Sequence, residues 1–268
     1  MSNDSPEPRT LKTIETASEV IDALAERDGA GVTELAGHLG TNKSTVHAYL
    51  TTLEKCDFVV CDDGHYQLSY QFLLIGEHLR ENSHLYQMGR SEVKELAEEV
   101  GHYAHLVVEE DGKAVSIYQT KGEKAADYEY QQSKLQRRDP LHVTAAGKAI
   151  MAHLPQDTVT EIIDEHGLGR WTDNTITDRE ALFEELESVR EQGIAYNDEE
   201  EVVGFRAVAA PVRTADGTVL GSVTVSGPVG HLTDDVFQEQ LPAEVASIAN
   251  SIEVRINMAN KNPNFAPE

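Results

Sequence analysis

Lys43, Ser44, Thr45, His47 and Thr51 place an ammonium, three hydroxyls and an imidazole along one short stretch, with Thr41 and Asn42 just ahead of it. Side chains of these types bind phosphate oxygens and base edges, the chemistry of a helix in a DNA major groove. His47 can equally be a solvent-facing bystander. The stretch lies in a nineteen-residue run, Leu35 to Leu53, without one Asp or Glu, in a chain where 47 of 268 residues are acidic. A second run, Thr144-Ala145-Ala146-Gly147, reads as a capped helix start whose small residues leave backbone N–H groups open to an anion such as a carboxylate. It reads equally as a plain N-cap with close packing, and spacing does not choose between the two. It too falls in an acid-free window, Pro140 to Gln156, and a third spans Gly217 to Thr233.

Other reactive residues form no known pattern. Cys56 and Cys61, with His47 and His65 nearby, have no zinc-ligand spacing and read as free, partly buried thiols of a reducing compartment. His142 and Lys148 are an acid-base pair without a nucleophile beside them. There is no G-x-S-x-G elbow, Walker loop, G-x-G-x-x-G or H-E-x-x-H. The chain is therefore expected to be no enzyme and to need neither cofactor nor metal.

The charge balance works against nucleic acid. Twenty-two basic and 47 acidic residues give a formal charge of −25, a surface that repels DNA at low ionic strength. The first 68 residues share the bias, which favours an alternative: a small-molecule sensor or enzyme whose N-terminal module makes protein contacts. In cells with molar internal salt, however, charges are screened within about 3 Å and an acidic surface preserves solubility. That halophilic setting reconciles the composition with DNA. No apolar run approaches the roughly 20 residues of a membrane span, and the N-terminus carries no secretory pattern; a cytoplasmic location is expected.

The elements that must position these residues follow from periodicity. Leu11, Ile14, Ala17, Val20, Ile21 and Leu24 make a helical stripe ending near Asp28-Gly29. Thr33 caps a second short helix that stops at Gly40, and Thr41 or Asn42 caps a third that buries Val46, Tyr49, Leu50 and Leu53. Ala36, Gly40 and Val46 have the spacing of a helix-turn-helix: a small residue for close approach, a turn glycine and an apolar anchor. Asp57 takes a left-handed position. Phe58–Val60 and His65–Leu68 pair around Asp62-Asp63-Gly64 as a two-stranded wing. An unrelated three-helix bundle is the bland alternative. Residues 70–82 predict a connecting helix with Phe72, Leu73, Ile75, Gly76 and Leu79 inward. Beyond it, helices alternate with strand pairs, which predicts an α+β domain with an antiparallel sheet.

Four segments together identify a family resemblance: GTNKSTVHAYLTTLEKCDFV from Gly40, PLHVTAAGKAIMAHLP from Pro140, DEEEVVGFRAVAAPV from Asp198 and SVTVSGP from Ser222. From Leu11 to about Ile256 the chain resembles the IclR family of transcriptional regulators. The resemblance implies a winged helix-turn-helix over residues 11–69, a linker helix over 70–84 and a GAF-like effector-binding domain over 85–258, with disordered tails at 1–10 and 259–268. It implies a homodimer, also assembled as a tetramer, that binds a double-stranded DNA operator under control of a small carboxylate, sugar acid or aromatic acid. DNA contacts would come from Thr41, Asn42, Lys43, Ser44, Thr45, His47, Ala48, Thr51 and His65. Effector contacts carry over to Tyr128, Asp139, Ala145, Ala146, Asn197, Ala207, Thr224 and Ser226. The chain departs from the family pattern at Ala48, commonly Arg, at Asp57, usually Gly, at Asn197, where an acid can occur, and at Ala207, where a polar or thiol side chain can.

Overall fold

The computed structural model describes residues 10–125, 131 and 133–261. It divides the chain into two compact units that meet at Leu79 and Arg80.

The first unit opens with α1 (Lys12–Arg27), a two-residue strand β1 (Ala30–Gly31), α2 (Val32–His38) and α3 (Lys43–Lys55). The hairpin β2 (Val59–Asp62) and β3 (His65–Leu68) follows. Gly40, at φ 61°, ends the second helix, and the Thr41 N–H returns to the Ala36 carbonyl at 3.1 Å. A Cβ at Gly40 would meet nothing within 4 Å, so the turn needs glycine for its backbone angle alone. Asn42, not Thr41, caps α3, accepting from the Thr45 N–H at 2.8 Å. Thr33 is not a cap: α2 starts one residue before it, and Glu34 accepts from the Gly31 N–H at 2.9 Å. Asp57 is left-handed at φ 63°, and the wing turns through Asp63 and Gly64, both at positive φ. The wing has three strands rather than two, in the order β1-β3-β2, because Ala30 and Gly31 pair with the far edge of β3. Two residues are too few for periodicity to reveal a strand.

Val20, Leu24, Leu35, Ala36, Val46 and Leu50 form this unit's core. Leu11 and Ile14 do not join it; they stand about two-thirds exposed. The connecting helix α4 (Gln71–Glu81) likewise has no buried residue, and Leu73, Leu74, Ile75 and Leu79 are open to solvent. Of the expected inward stripe, Phe72 packs on Phe58 with ring centroids 5.3 Å apart, while Leu73, Ile75 and Leu79 stay exposed among the described residues.

The second unit continues through α5 (His84–Val100), β4 (Tyr103–Glu110), β5 (Lys113–Lys121), β6 (Arg138–Pro140), α6 (Ala145–Met151), α7 (Gln156–His166) and α8 (Arg179–Gln192). It ends with β7 (Ala195–Asp198), β8 (Phe205–Arg213), β9 (Val219–Pro228) and α9 (Leu241–Lys261). The last helix thus runs beyond residue 258. The six strands form one antiparallel sheet in the order β6-β5-β4-β9-β8-β7. Strand alternation divides its faces. Ala104, Leu106, Val208, Ala210, Val223 and Val225 pack under α5 and α9. Val107, Ala207 and Ala209 face the other way, toward α6.

Candidate functional site

In α3 the apolar residues Val46, Leu50 and Leu53 point inward, leaving Lys43, Ser44, His47 and Ala48 exposed and Thr51 half-exposed. Lys43, His47 and Thr51 recur every four residues and share one ridge. Thr51 Oγ1 and His47 Nδ1 are 3.5 Å apart, a weak contact that leaves the ridge adaptable. The Ser44 hydroxyl donates to Asn42 Oδ1 at 2.6 Å, so both residues serve the helix cap. Thr45 departs from the expected face: it is half-buried and lines an apolar groove with Ile14 and Ala17 of α1. Thr41 is half-exposed, and His65 is exposed at the start of β3, where its ring packs over Gly29. Cys56 and Cys61 are free thiols, exposed rather than partly buried.

In the second unit, residues far apart in sequence meet across the sheet. Asn197, Ala207 and Ser226 are successive cross-strand partners on β7, β8 and β9. Thr224 lies opposite both Ala209 and His105 in the next row. With Asp139 from β6 and Ala145 and Ala146 from the start of α6, they line a cavity of about 50 Å³. That volume holds a few water-sized groups. Tyr128 lies outside the described residues.

Thr144 caps α6, accepting from the Gly147 N–H at 2.9 Å. A Cβ at Gly147 would lie 2.1 Å from the Leu141 carbonyl oxygen, so this glycine serves close packing. Ala145 and Ala146 carry first-turn N–H groups that no helical carbonyl takes, and their small side chains bring the backbone against the cavity. Asn197 is pinned at both ends of its amide: Nδ2 donates to the Val143 carbonyl, and Oδ1 accepts from the Glu200 N–H, each at 2.9 Å. It therefore fixes the helix start to the acidic segment that follows β7.

Several lining residues had no role in the sequence reading: His105, Gln131, Lys134, Glu201 and Arg206. His105 Nε2 lies 3.0 Å from Ser226 Oγ, which also accepts from Gln131 Nε2 at 3.1 Å. Burial, then the nearby Lys134 charge, push the His105 imidazole down to about 3, so the ring is neutral. Gln131 Oε1 and Thr224 Oγ1 are buried and find no hydrogen-bond partner among the described residues. Such groups are costly unless a ligand or water meets them. The signal for His105 was the strand parity it shares with Val107; Lys134 lies in a single 3-10 turn, Ser133–Gln136, and Glu201 in the loop after β7, where no periodicity marks them.

Lys134 binds two carboxylates, Asp139 at 2.9 Å and Glu201. Asp139 is also held by Arg137 at 2.7 Å. Arg206 is engaged elsewhere, donating to Asp198 at 2.6 Å, Asp234 at 2.7 Å and the Leu232 carbonyl at 3.0 Å while lying over the Phe237 ring. Behind α6, the fully buried Lys148 pairs with Glu200 at 2.6 Å and Glu185 at 2.8 Å. Burial raises the Glu200 carboxyl, and Lys148 opposes that rise. His142 does not meet Lys148's ammonium; its Nε2 is 3.0 Å from the Gly169 carbonyl oxygen. The acid-base pair considered from the sequence is thus replaced by two separate structural contacts.

Comparison with known proteins gives a consistent picture. Residues 13–63 match the IclR helix-turn-helix domain, and residues 78–254 match the bacterial transcriptional regulator IclR C-terminal domain. A Halobacterium salinarum protein named "Probable HTH-type transcriptional regulator ArcR" is 39% identical over 94% of this chain and 97% of its own length. The Escherichia coli transcriptional repressor IclR is 27% identical over 88% of this chain and 86% of its own. Among solved structures, the Thermotoga maritima IclR superposes with a TM-score of 0.76 at 24% identity, covering 92% of this chain and all of that one. An IclR homolog from Microbacterium hydrocarbonoxydans, solved with 4-hydroxybenzoate, gives 0.75 at 16% identity over 92% of this chain and 99% of that one.

Proposed function

The chain belongs to the IclR family of transcriptional regulators, and from that premise we propose that it binds a double-stranded DNA operator through α3 under control of a small molecule held in the sheet cavity. It is a regulator, not an enzyme, with a helix-turn-helix DNA-binding domain and the family's C-terminal domain. The observation that carries ligand control is the convergence of Asp139, Ala145, Ala146, Asn197, Ala207, Thr224 and Ser226 on one cavity from four strands and a helix start.

In this reading Lys43 contacts phosphate or guanine, and His47 and Thr51 reach base edges one and two turns on. Thr41, Asn42 and Ser44 order the helix start against the backbone, Ala48 allows close approach, Thr45 supports α3 from the α1 side, and His65 lies at the wing. Asp62 and Asp63 keep the wing tip out of the minor groove. Few cations face the DNA, so affinity falls gently with salt, well short of the roughly tenth-power dependence seen when ten counterions are released.

The effector is a small organic acid, and larger sugar or aromatic acids require the cavity to widen. The C-terminal domain functions as a GAF-like sensor. The apolar residues left exposed on α1 and α4 support a homodimer, which pairs further into a tetramer. The acidic composition, shared setting of a Halobacterium relative and absence of a membrane-crossing helix among the described residues support work in a salt-rich cytoplasm. Ser226→Phe tests the central link: it should fill the cavity, leave operator binding of the ligand-free protein unchanged and abolish the response to organic acids in a gel shift. A normal response in that variant contradicts the assignment.

A further inference from the structure

The cavity contains its own anion. Two cations line it, and Arg206 is held by Asp198, Asp234 and the Leu232 carbonyl. The ammonium facing the cavity is that of Lys134, and it already binds the carboxylates of Asp139 and Glu201. Asp139 has a second cation in Arg137. Among the described residues Lys134 and Arg137 stand against Asp139 and Glu201, two cations against two carboxylates. A third carboxylate brought to Lys134 would be an uncompensated buried charge, which the protein interior disfavours. One of the resident carboxylates must leave. Asp139 is tethered by Arg137 and held in β6; Glu201 lies in the loop between β7 and β8, and Lys134 is its ion-pair partner among the described residues.

We propose that Lys134 is the anion-recognising residue of this pocket and Glu201 its built-in competitor, displaced when a ligand carboxylate takes Lys134. The proposal deepens the effector reading above and rests on it. It explains the small cavity, since Glu201's side chain lines the space a ligand acid group would occupy. It also connects binding to movement. The Glu199 and Glu200 carbonyls accept from the Thr172 hydroxyl at 2.7 and 3.2 Å, and the Thr175 hydroxyl donates to the Glu200 carbonyl at 2.7 Å. Displacing Glu201 therefore pulls on the loop that carries Trp171, the chain's single tryptophan. Arg137, which holds Asp139, lies over the Trp171 ring, 5.4 Å from its centroid. The indole reports directly on the ion cluster.

The experiment titrates the full-length protein with potassium acetate against potassium chloride at fixed ionic strength, reading Trp171 emission and melting temperature. Three proteins are compared: wild type, Glu201→Gln, and the neutral double variant Lys134→Met with Glu201→Gln, which leaves no new buried charge at this pair. Removing the competitor should lower the acetate midpoint about tenfold in Glu201→Gln, and the double variant should lose the acetate-specific response while melting cooperatively. An equal midpoint in wild type and Glu201→Gln overturns the displacement. An undiminished response in the double variant overturns the role of Lys134 and leaves the pocket reading standing. No response in any of the three overturns carboxylate recognition at the cavity itself.

Discussion

The recognition helix and the cavity use opposite designs. On α3 the reactive side chains lie within nine residues of sequence, are exposed or half-exposed and are attached to a core by a separate face of the same helix. Around the cavity they come from segments between His105 and Ser226, are buried, and hold one another through hydrogen bonds and ion pairs. Lys43, His47 and Thr51 can change with little effect on the fold, so the proposed DNA contacts at these positions are separable from stability. In the cavity the polar groups are less so: His105, Ser226, Asn197, Lys134 and Asp139 are tied into the fold by hydrogen bonds and ion pairs.

The sharpest way to break that contrast is at Lys148, directly after the cavity-lining turn of α6. Lys148→Ala strands Glu200 in the interior and should cost about 3–5 kcal/mol, read by denaturant unfolding in molar KCl. A loss below 1 kcal/mol would mean that the buried cluster is not structural.

A second expectation concerns pH. His105 has a folded value of about 3 against 6.5 for the unfolded chain, so between these values the unfolded state binds the extra proton. Stability from this residue is present above pH 6.5 and drains away as pH falls toward 3, by up to about 1.4 kcal/mol per pH unit. His105→Gln should flatten the acid side of the stability curve by that slope relative to wild type. Parallel curves for the two proteins would contradict a neutral, buried imidazole.

The smallest effect belongs to the exposed helix. Asn42→Ala removes the side-chain cap of α3 and should lower stability by about 1 kcal/mol, measured as a shift of the unfolding midpoint. Replacement by Asp, which also caps, should restore it.

What could be read from sequence follows the same division. The turn at Gly40, the left-handed Asp57, the wing hairpin and the face containing Lys43, His47 and Thr51 all depend on residues within one turn or one hairpin, where local chemistry decides. Thr45 escaped that logic because its side is set by α1, not by its own helix. Across the sheet, Thr224 and Ser226 could be paired by strand parity, but their alignment with Asn197 and Ala207 depends on register between strands. Lys134 and Glu201 are 67 residues apart in sequence, one in a short 3-10 turn and one in a loop, and only the folded chain brings them together. The stripe on α4 is the reverse case: the pattern was plain, but among the described residues Leu73, Ile75 and Leu79 stay exposed.

The central claim is that α3 reads DNA independently of the fold's stability. Footprinting and fluorescence titration on the DNA upstream of the chain's own gene, in molar KCl, test it with wild type and the Lys43→Ala, His47→Ala double variant. Wild type should show a discrete protected site, and the double variant should lose about 1–3 kcal/mol in binding for each contact removed with an unfolding free energy within about 0.5 kcal/mol of wild type. Equal protection by both proteins, or no protected site for wild type in any salt, would contradict it.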